Sequence, residues 1–217
     1  MARLKVAILI SGRGSNMAAL IEAMQPDDFP AEVVLVLSNQ PDAAGLEIAR
    51  AANIPTEVLK HGDFDSREAF DAAMTEVLAA AGVRLICLAG FMRLLSTEFC
   101  QRWRDRIINI HPSLLPAFKG LHVHERMLEA GVRIAGCTVH FVRPAMDEGP
   151  ILVQATVPIA ADDTADSLSA RILEQEHRIY PLAVRLIAEG KARAAGASVA
   201  LDNFALSEDR LINPPLR

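Results

Sequence analysis

The sequence predicts an α/β fold: a doubly wound, Rossmann-like, mostly parallel but mixed central sheet flanked by helices. Three observations predict it. Over the first hundred residues, short apolar runs alternate with segments of helical periodicity. The runs are continuously apolar rather than alternating, as strands covered on both faces require. Half of the chain (51%) is hydrophobic while only 5% is aromatic, which suits helices packed on a Val/Ile/Leu sheet. A length of 217 residues accommodates one sizeable core, so a single domain over 1–217 is expected.

The first strand spans residues 4–10 and breaks at Ser11, Gly12, Arg13, Gly14, Ser15 and Asn16. Apolar spacing through Met17, Leu20, Ile21 and Met24 then predicts a helix. A strand follows at 33–37, a helix at 43–52 and a short strand at 56–59. Ser66 opens a helix with Ala69, Phe70, Ala73, Met74 and Val77 on one face, and residues 84–89 form a strand ending in Gly90, Phe91, Met92 and Arg93. Strand–helix alternation of this kind implies right-handed parallel crossovers, and ligands bind beyond the carboxyl ends of such strands.

The back half changes character. Residues 106–110 read as a strand leading into His111, and 124–130 as a helix. Residues 135–142 and 151–157 read as an antiparallel pair joined by a turn at Asp147. Residues 164–189 form a long helix capped by Thr164 or by an Asp just before it. From Lys191 onward the pattern weakens, and prolines follow at Pro214 and Pro215.

The net charge of -5 argues against a broad nucleic-acid or anionic-membrane surface, though not against a small cationic pocket for one phosphate. Cys87, Cys100 and Cys137 are odd in number and form no C-x-x-C pair, so they read as buried reduced thiols. No stretch is apolar enough to span a bilayer and the start carries no signal-cleavage pattern, so a cytoplasmic protein is expected.

Asn109 and His111, separated by one residue on a strand, share one face. An Asn donates to a developing oxyanion, and a His moves a proton near neutral pH. An Asp beside it, as Asp147 could be, holds the imidazolium. That set suits acyl transfer to an amine, whereas a polar strand end with a core His is the bland alternative. The loop from Gly12 to Asn16 lets the backbone approach a ligand at a helix N-terminus, as a phosphate cradle or simply as a tight turn. It is a poor dinucleotide fingerprint, because Met17 stands where the third glycine would be. Arg93 suits bidentate carboxylate pairing or a surface ion pair. Gln175, Glu176 and His177 read as a solvated helical face or as a polar grip on a sugar or phosphate. His122 and His124 lack further ligands of metal-site pattern, so no metal is expected, and His122 reads better as a support behind His111.

Taken together, five segments carry a resemblance: Ser-Gly-Arg-Gly-Ser-Asn-Met from Ser11, Leu-Ala-Gly-Phe-Met-Arg-Leu-Leu from Leu88, Asn-Ile-His-Pro-Ser-Leu-Leu-Pro from Asn109, Asp-Glu-Gly-Pro-Ile from Asp147, and Gln-Glu-His-Arg-Ile-Tyr-Pro from Gln175. Between Leu4 and about Leu186, the chain resembles the glycinamide ribonucleotide formyltransferases of purine synthesis, within the 10-formyltetrahydrofolate formyltransferase superfamily. The resemblance implies a catalytic trio of Asn109, His111 and Asp147. It places ribonucleotide contacts at Gly14, Ser15 and Asn16 and at Leu173, Glu174, Gln175 and Glu176, with Glu176 as ribose partner. It places folate contacts at Arg67, Met92, Arg93, Leu94, Leu95, Asn109, Arg143, Pro144, Ala145, Met146 and Asp147. Leu173 departs from the polar residue that relatives often have there, and the loop from Arg143 to Met146 is less acidic than comparable ones.

The co-substrate implied is 10-formyltetrahydrofolate, with small-molecule partners only and a monomer or homodimer. Residues 1–100 would then form the nucleotide half, 101–190 the catalytic and folate half, and 191–217 a tail. A formyltetrahydrofolate hydrolase would use the same trio with water, but usually adds an N-terminal regulatory domain, for which a first strand at Leu4 is expected to leave no room. A methionyl-tRNA formyltransferase would bring a C-terminal domain and a basic surface. A noncatalytic folate- or nucleotide-binding module on this fold has no need of a proton carrier.

Overall fold

A computed structural model describes residues 2–202, 211 and 213. Its strands are β1 (Leu4–Ile10), β2 (Ala31–Ser38), β3 (Thr56–Val58), β4 (Leu85–Leu88), β5 (Ile107–His111), β6 (Ile134–Phe141) and β7 (Ile151–Pro158), assembled in the order β3-β2-β1-β4-β5-β6-β7. Pairing is parallel from β3 through β5 and antiparallel from β5 through β7. The mixed sheet expected from the change of pattern is therefore present, with the change of direction at β5, where Asn109 and His111 lie.

Helices α1 (Ser15–Met24), α2 (Gly45–Ala51), α5 (Val123–Glu129) and α6 (Ala165–Ala188) cover one face, and α3 (Arg67–Ala80) and α4 (Thr97–Arg102) the other. Period-two alternation sorts β1 between them: Val6, Ile8 and Ile10 enter the first core, Ala7 and Leu9 the second. Both faces are thus dry, which explains why the central strands read as unbroken apolar runs.

Caps fix several boundaries. Ser66 accepts from Ala69 N at 3.0 Å to start α3, and Ser96 accepts from Phe99 N at 3.2 Å to start α4. α4 was not foreseen, because six residues show barely two turns of period. Thr164, rather than the preceding Asp163, caps α6 in a reciprocal box with Ser167. On α6 the buried Tyr180 hydroxyl lies 3.0 Å from the Leu88 carbonyl and 3.1 Å from that of Ile108, tying the helix to β4 and β5. The weakly patterned stretch after Lys191 contains a hairpin, β8 (Ala192–Ala195) with β9 (Ser198–Leu201), turned at Gly196 with φ +66°. Its strands are too short for alternation to show. Pro214 and Pro215 lie outside the described residues. Cys87, Cys100 and Cys137 are free and buried, and burial pushes the Cys100 thiol up to about 11.

Candidate active site

The carboxyl ends of β1, β4 and β5 open on one side of the sheet. At the end of β1, Gly14 has φ +78° and its Cα edge abuts Gly45, where an added Cβ would sit 2.8 Å from Gly45 Cα. Only glycine fits that turn. α1 then starts with no side-chain cap and no acidic residue in its first turn, leaving its backbone N–H groups and positive dipole end for an anion. Ser11 braces the loop: its hydroxyl donates to Asn39 Oδ1 at 2.6 Å and accepts from Met92 N at 2.8 Å.

Asn16 and Glu176 meet, Nδ2 donating to Oε2 at 2.7 Å. Glu176 is buried, and that burial raises its carboxyl above the ordinary range against the opposing effect of the Asn16 hydrogen bond. The solvated-face reading of this stretch is thereby corrected: α6 turns Glu176 inward while Glu174 stays exposed and Gln175 accepts from its helix neighbour Arg178. Leu173 is half-buried. Asn16 Oδ1 is a buried acceptor with no partner among the described residues.

A cleft of about 540 Å³ lies beside this loop, lined by Met92, Arg93, Leu94, Leu95, Asn109, His111, Arg143, Pro144, Ala145, Met146 and Asp147 among others. Met92, Leu94 and Met146 are exposed apolar side chains on its rim. Arg93 makes no ion pair among the described residues; its guanidinium sits 5.7 Å from the Phe70 ring centre. Arg143 is less free, since it pairs with Asp105 Oδ1 at 2.6 Å. Arg67 is exposed on the first turn of α3 and does not line the cleft.

Three imidazoles have distinct settings here. His111 Nε2 lies 3.0 Å from the Phe118 carbonyl, which can only accept, so this nitrogen carries a proton. Its Nδ1 is 3.6 Å from Asp147 Oδ1, an ion-pair distance that stops short of a hydrogen bond. Asp147 is held in turn by Gly120 N, which donates to Oδ2 at 2.8 Å. The turn that delivers Asp147 has φ +53° at that residue, and two residues on, a Cβ on Gly149 would fall 1.8 Å from the Phe141 carbonyl oxygen.

His140 was missed in the sequence. It stands opposite Asn109 in the β5–β6 register, with Nδ1 3.0 Å from the Phe141 carbonyl and Nε2 3.3 Å from Asn109 Nδ2. Burial lowers its pKa, so it is neutral; with the proton on Nδ1, its Nε2 accepts from the Asn109 amide. The available signal was a pair of polar residues, Thr138 and His140, at alternate positions of an otherwise apolar strand. His122, expected behind His111, lines the cleft instead: its left-handed backbone turns the side chain out to 79% exposure, paired with Glu125. Among the described residues, no group of three or more His, Cys, Asp or Glu side chains is arranged to hold a metal. No described helix is long and apolar enough to cross a membrane.

The family model described as formyl transferase matches residues 4–184. The "Trifunctional purine biosynthetic protein adenosine-3" of Gallus gallus is 49% identical over 195 residues, 90% of this chain but 19% of that protein. The chain thus spans about a fifth of the length of that relative. The "Phosphoribosylglycinamide formyltransferase" of Haemophilus influenzae is 42% identical over 209 residues, covering 96% of this chain and 99% of that one. Among solved structures, glycinamide ribonucleotide transformylase 1 from Symbiobacterium toebii superposes with a TM-score of 0.90 at 47% identity, over 93% of this chain and 95% of that one. The match over β1 through most of α6 takes in both the Gly14 loop and the Asn109, His111 and Asp147 cluster: this chain belongs to the formyl transferase family.

Proposed function

We propose that the chain transfers the formyl group of 10-formyltetrahydrofolate to the glycine amine of glycinamide ribonucleotide, giving formylglycinamide ribonucleotide and tetrahydrofolate in purine synthesis. The observation that carries this reading is the adjacency of two unlike sites at the strand ends. One is an anion-ready helix N-terminus with a buried amide–carboxylate pair, Asn16 and Glu176. The other is an apolar-rimmed cleft holding an amide, an imidazole and a carboxylate.

The phosphate of the ribonucleotide sits on Gly14, Ser15 and Asn16, and Glu176 accepts from its ribose. The folate lies in the cleft along residues 92–95 and 143–147, with Arg93 available for a folate carboxylate. The amine then attacks the formyl carbon, forming the new C–N bond and placing charge on the formyl oxygen. Asn109 has one amide hydrogen committed to His140, so its second is aimed without freedom to rotate, and it stabilises that oxyanion. His111 in its imidazolium form, supported by the Asp147 charge at 3.6 Å, shares the load and moves a proton from the amine toward the departing folate nitrogen. Collapse breaks the bond to that nitrogen and releases tetrahydrofolate. Holding both substrates in one cleft supplies much of the acceleration.

The test is tetrahydrofolate release by purified protein with and without glycinamide ribonucleotide. Release that requires the ribonucleotide and yields formylated product is expected. Release with water alone would replace the reading with a hydrolase, and binding of both ligands without turnover would replace it with a noncatalytic module.

A further inference from the structure

At the opposite end of the sheet, the amino ends of β1, β4 and β5 gather cations. Arg84 precedes β4, Arg106 precedes β5, and Arg102 ends α4; with Ala79, Gly82, Val83 and Trp103 they line a hollow of about 410 Å³. Lys5 of β1 reaches its edge, with Nζ 3.5 Å from where a Cβ on Gly82 would be. Arg84 is tied to it by backbone, Arg84 N donating to Lys5 O at 2.9 Å.

Four positive side chains in one place are unexpected in a chain of net charge -5. Elsewhere on the surface several cations are met by carboxylates, as in Arg143 with Asp105 or Lys119 with Glu148, and the unpaired ones are not gathered around one hollow. No ion pair among the described residues involves Lys5, Arg84, Arg102 or Arg106. Glu32 is the strand neighbour of Lys5, yet the two do not pair. The crowding is felt: Arg106 has its pKa lowered first by burial and then by the charges of Arg84 and Arg102.

Arg106 is also fixed in place. Its guanidinium lies 4.5 Å from the Trp103 ring centre and donates to the Arg102 carbonyl at 2.8 Å. A guanidinium held on an aromatic face presents its remaining N–H edge without further ordering cost. The hollow is concave and small, which fits a compact ligand better than the flat surface of a protein partner. Several guanidinium forks around one hollow match several phosphate groups, each fork taking two oxygens.

The geometry points to a second anion site: the hollow formed by Lys5, Arg84, Arg102 and Arg106 binds a compact polyphosphate, a small molecule carrying two or more linked phosphate groups. It lies at the far ends of β4 and β5 from the Asn109 cleft, so it is distinct from the phosphate loop at Gly14.

Trp103 is the single tryptophan of the chain, so its fluorescence reports on this hollow alone. The probe is inorganic tripolyphosphate, titrated by calorimetry and by tryptophan emission into the parent and into Arg84→Gln/Arg102→Gln. Both positions are exposed, so the variant is expected to fold, and any binding at Gly14 is common to both proteins. The parent should show a saturable binding component that weakens at least about tenfold in the variant, the loss of about one charge-assisted hydrogen bond. Orthophosphate should bind there far more weakly than tripolyphosphate. Identical calorimetric isotherms for parent and variant would overturn the site. Equal affinity for orthophosphate and tripolyphosphate would overturn the polyphosphate assignment.

Discussion

Asn16 on the first helix and Glu176 on the last are joined by a 2.7 Å hydrogen bond across 160 residues of sequence. The bond closes the strand-end side of the sheet and leaves a buried carboxyl whose ionisation folding opposes. Burial raises Glu176 above its ordinary value of 4.5, so the folded protein holds that proton more tightly than the unfolded chain does. The stability it contributes is therefore greatest in acid and falls as pH rises through the raised value. Glu176→Gln cannot ionise and should gain thermal stability relative to the parent as pH rises above the ordinary carboxyl value of 4.5. Melting temperatures across that rise check it; a difference that does not change with pH would remove the burial argument.

Asn109→Ala should lower turnover by about 10²–10³ and leave KM for both substrates little changed, because its amide acts on charge that exists only in the transition state. Steady-state kinetics decide: a raised KM at unaltered kcat would make Asn109 a substrate-binding residue instead.

Asp147→Asn keeps an acceptor for Gly120 N and suits the left-handed backbone at this position, with φ +53°. Only the charge beside His111 is removed. Turnover should fall by at least about 10² while the melting temperature stays close to the parent's. An unfolded or strongly destabilised variant would mean that Asp147 serves the turn rather than the imidazole.

Gly149→Ala places a methyl group 1.8 Å from the Phe141 carbonyl oxygen, a clash with backbone that no rotamer relieves. The turn must shift, at a cost of about 1–3 kcal/mol. Because Asp147 rides on the same turn, formyl transfer should fall with it. Denaturant unfolding and kcat on one preparation test both halves, and full activity in a destabilised protein would detach the turn from the chemistry.

Much of this was legible in the sequence because it is written in local pattern. The unbroken apolar runs gave the doubly covered strands, and the i, i+2 spacing of Asn109 and His111 put both on one face. What escaped depends on partners distant in sequence. α4 is too short to show a period, and its Ser96 cap is recognisable only once the chain is seen to turn there. His140 acquires its role only through pairing of β6 with β5, a register that no local signal encodes. His122 read as a support behind His111, yet a left-handed backbone turns it out to the exposed wall of the cleft. Glu176, with polar neighbours on either side, read equally as a solvated face or as a grip on a sugar; α6 buries it because that face meets α1.

The pairing of Asn109 with His140 is fixed by strand register rather than by a loop. Tolerance to insertion and deletion should therefore be sharply uneven along this stretch. The connection between β6 and β7 can lengthen without moving either residue, provided Asp147 keeps its seat. One residue gained or lost within β6 before His140 would set Val139 or Phe141 across from Asn109 and turn the imidazole to the opposite face of the sheet. Length changes that spare the Asn109–His140 pairing thus belong in the turns around β6, which behaves as a ruler.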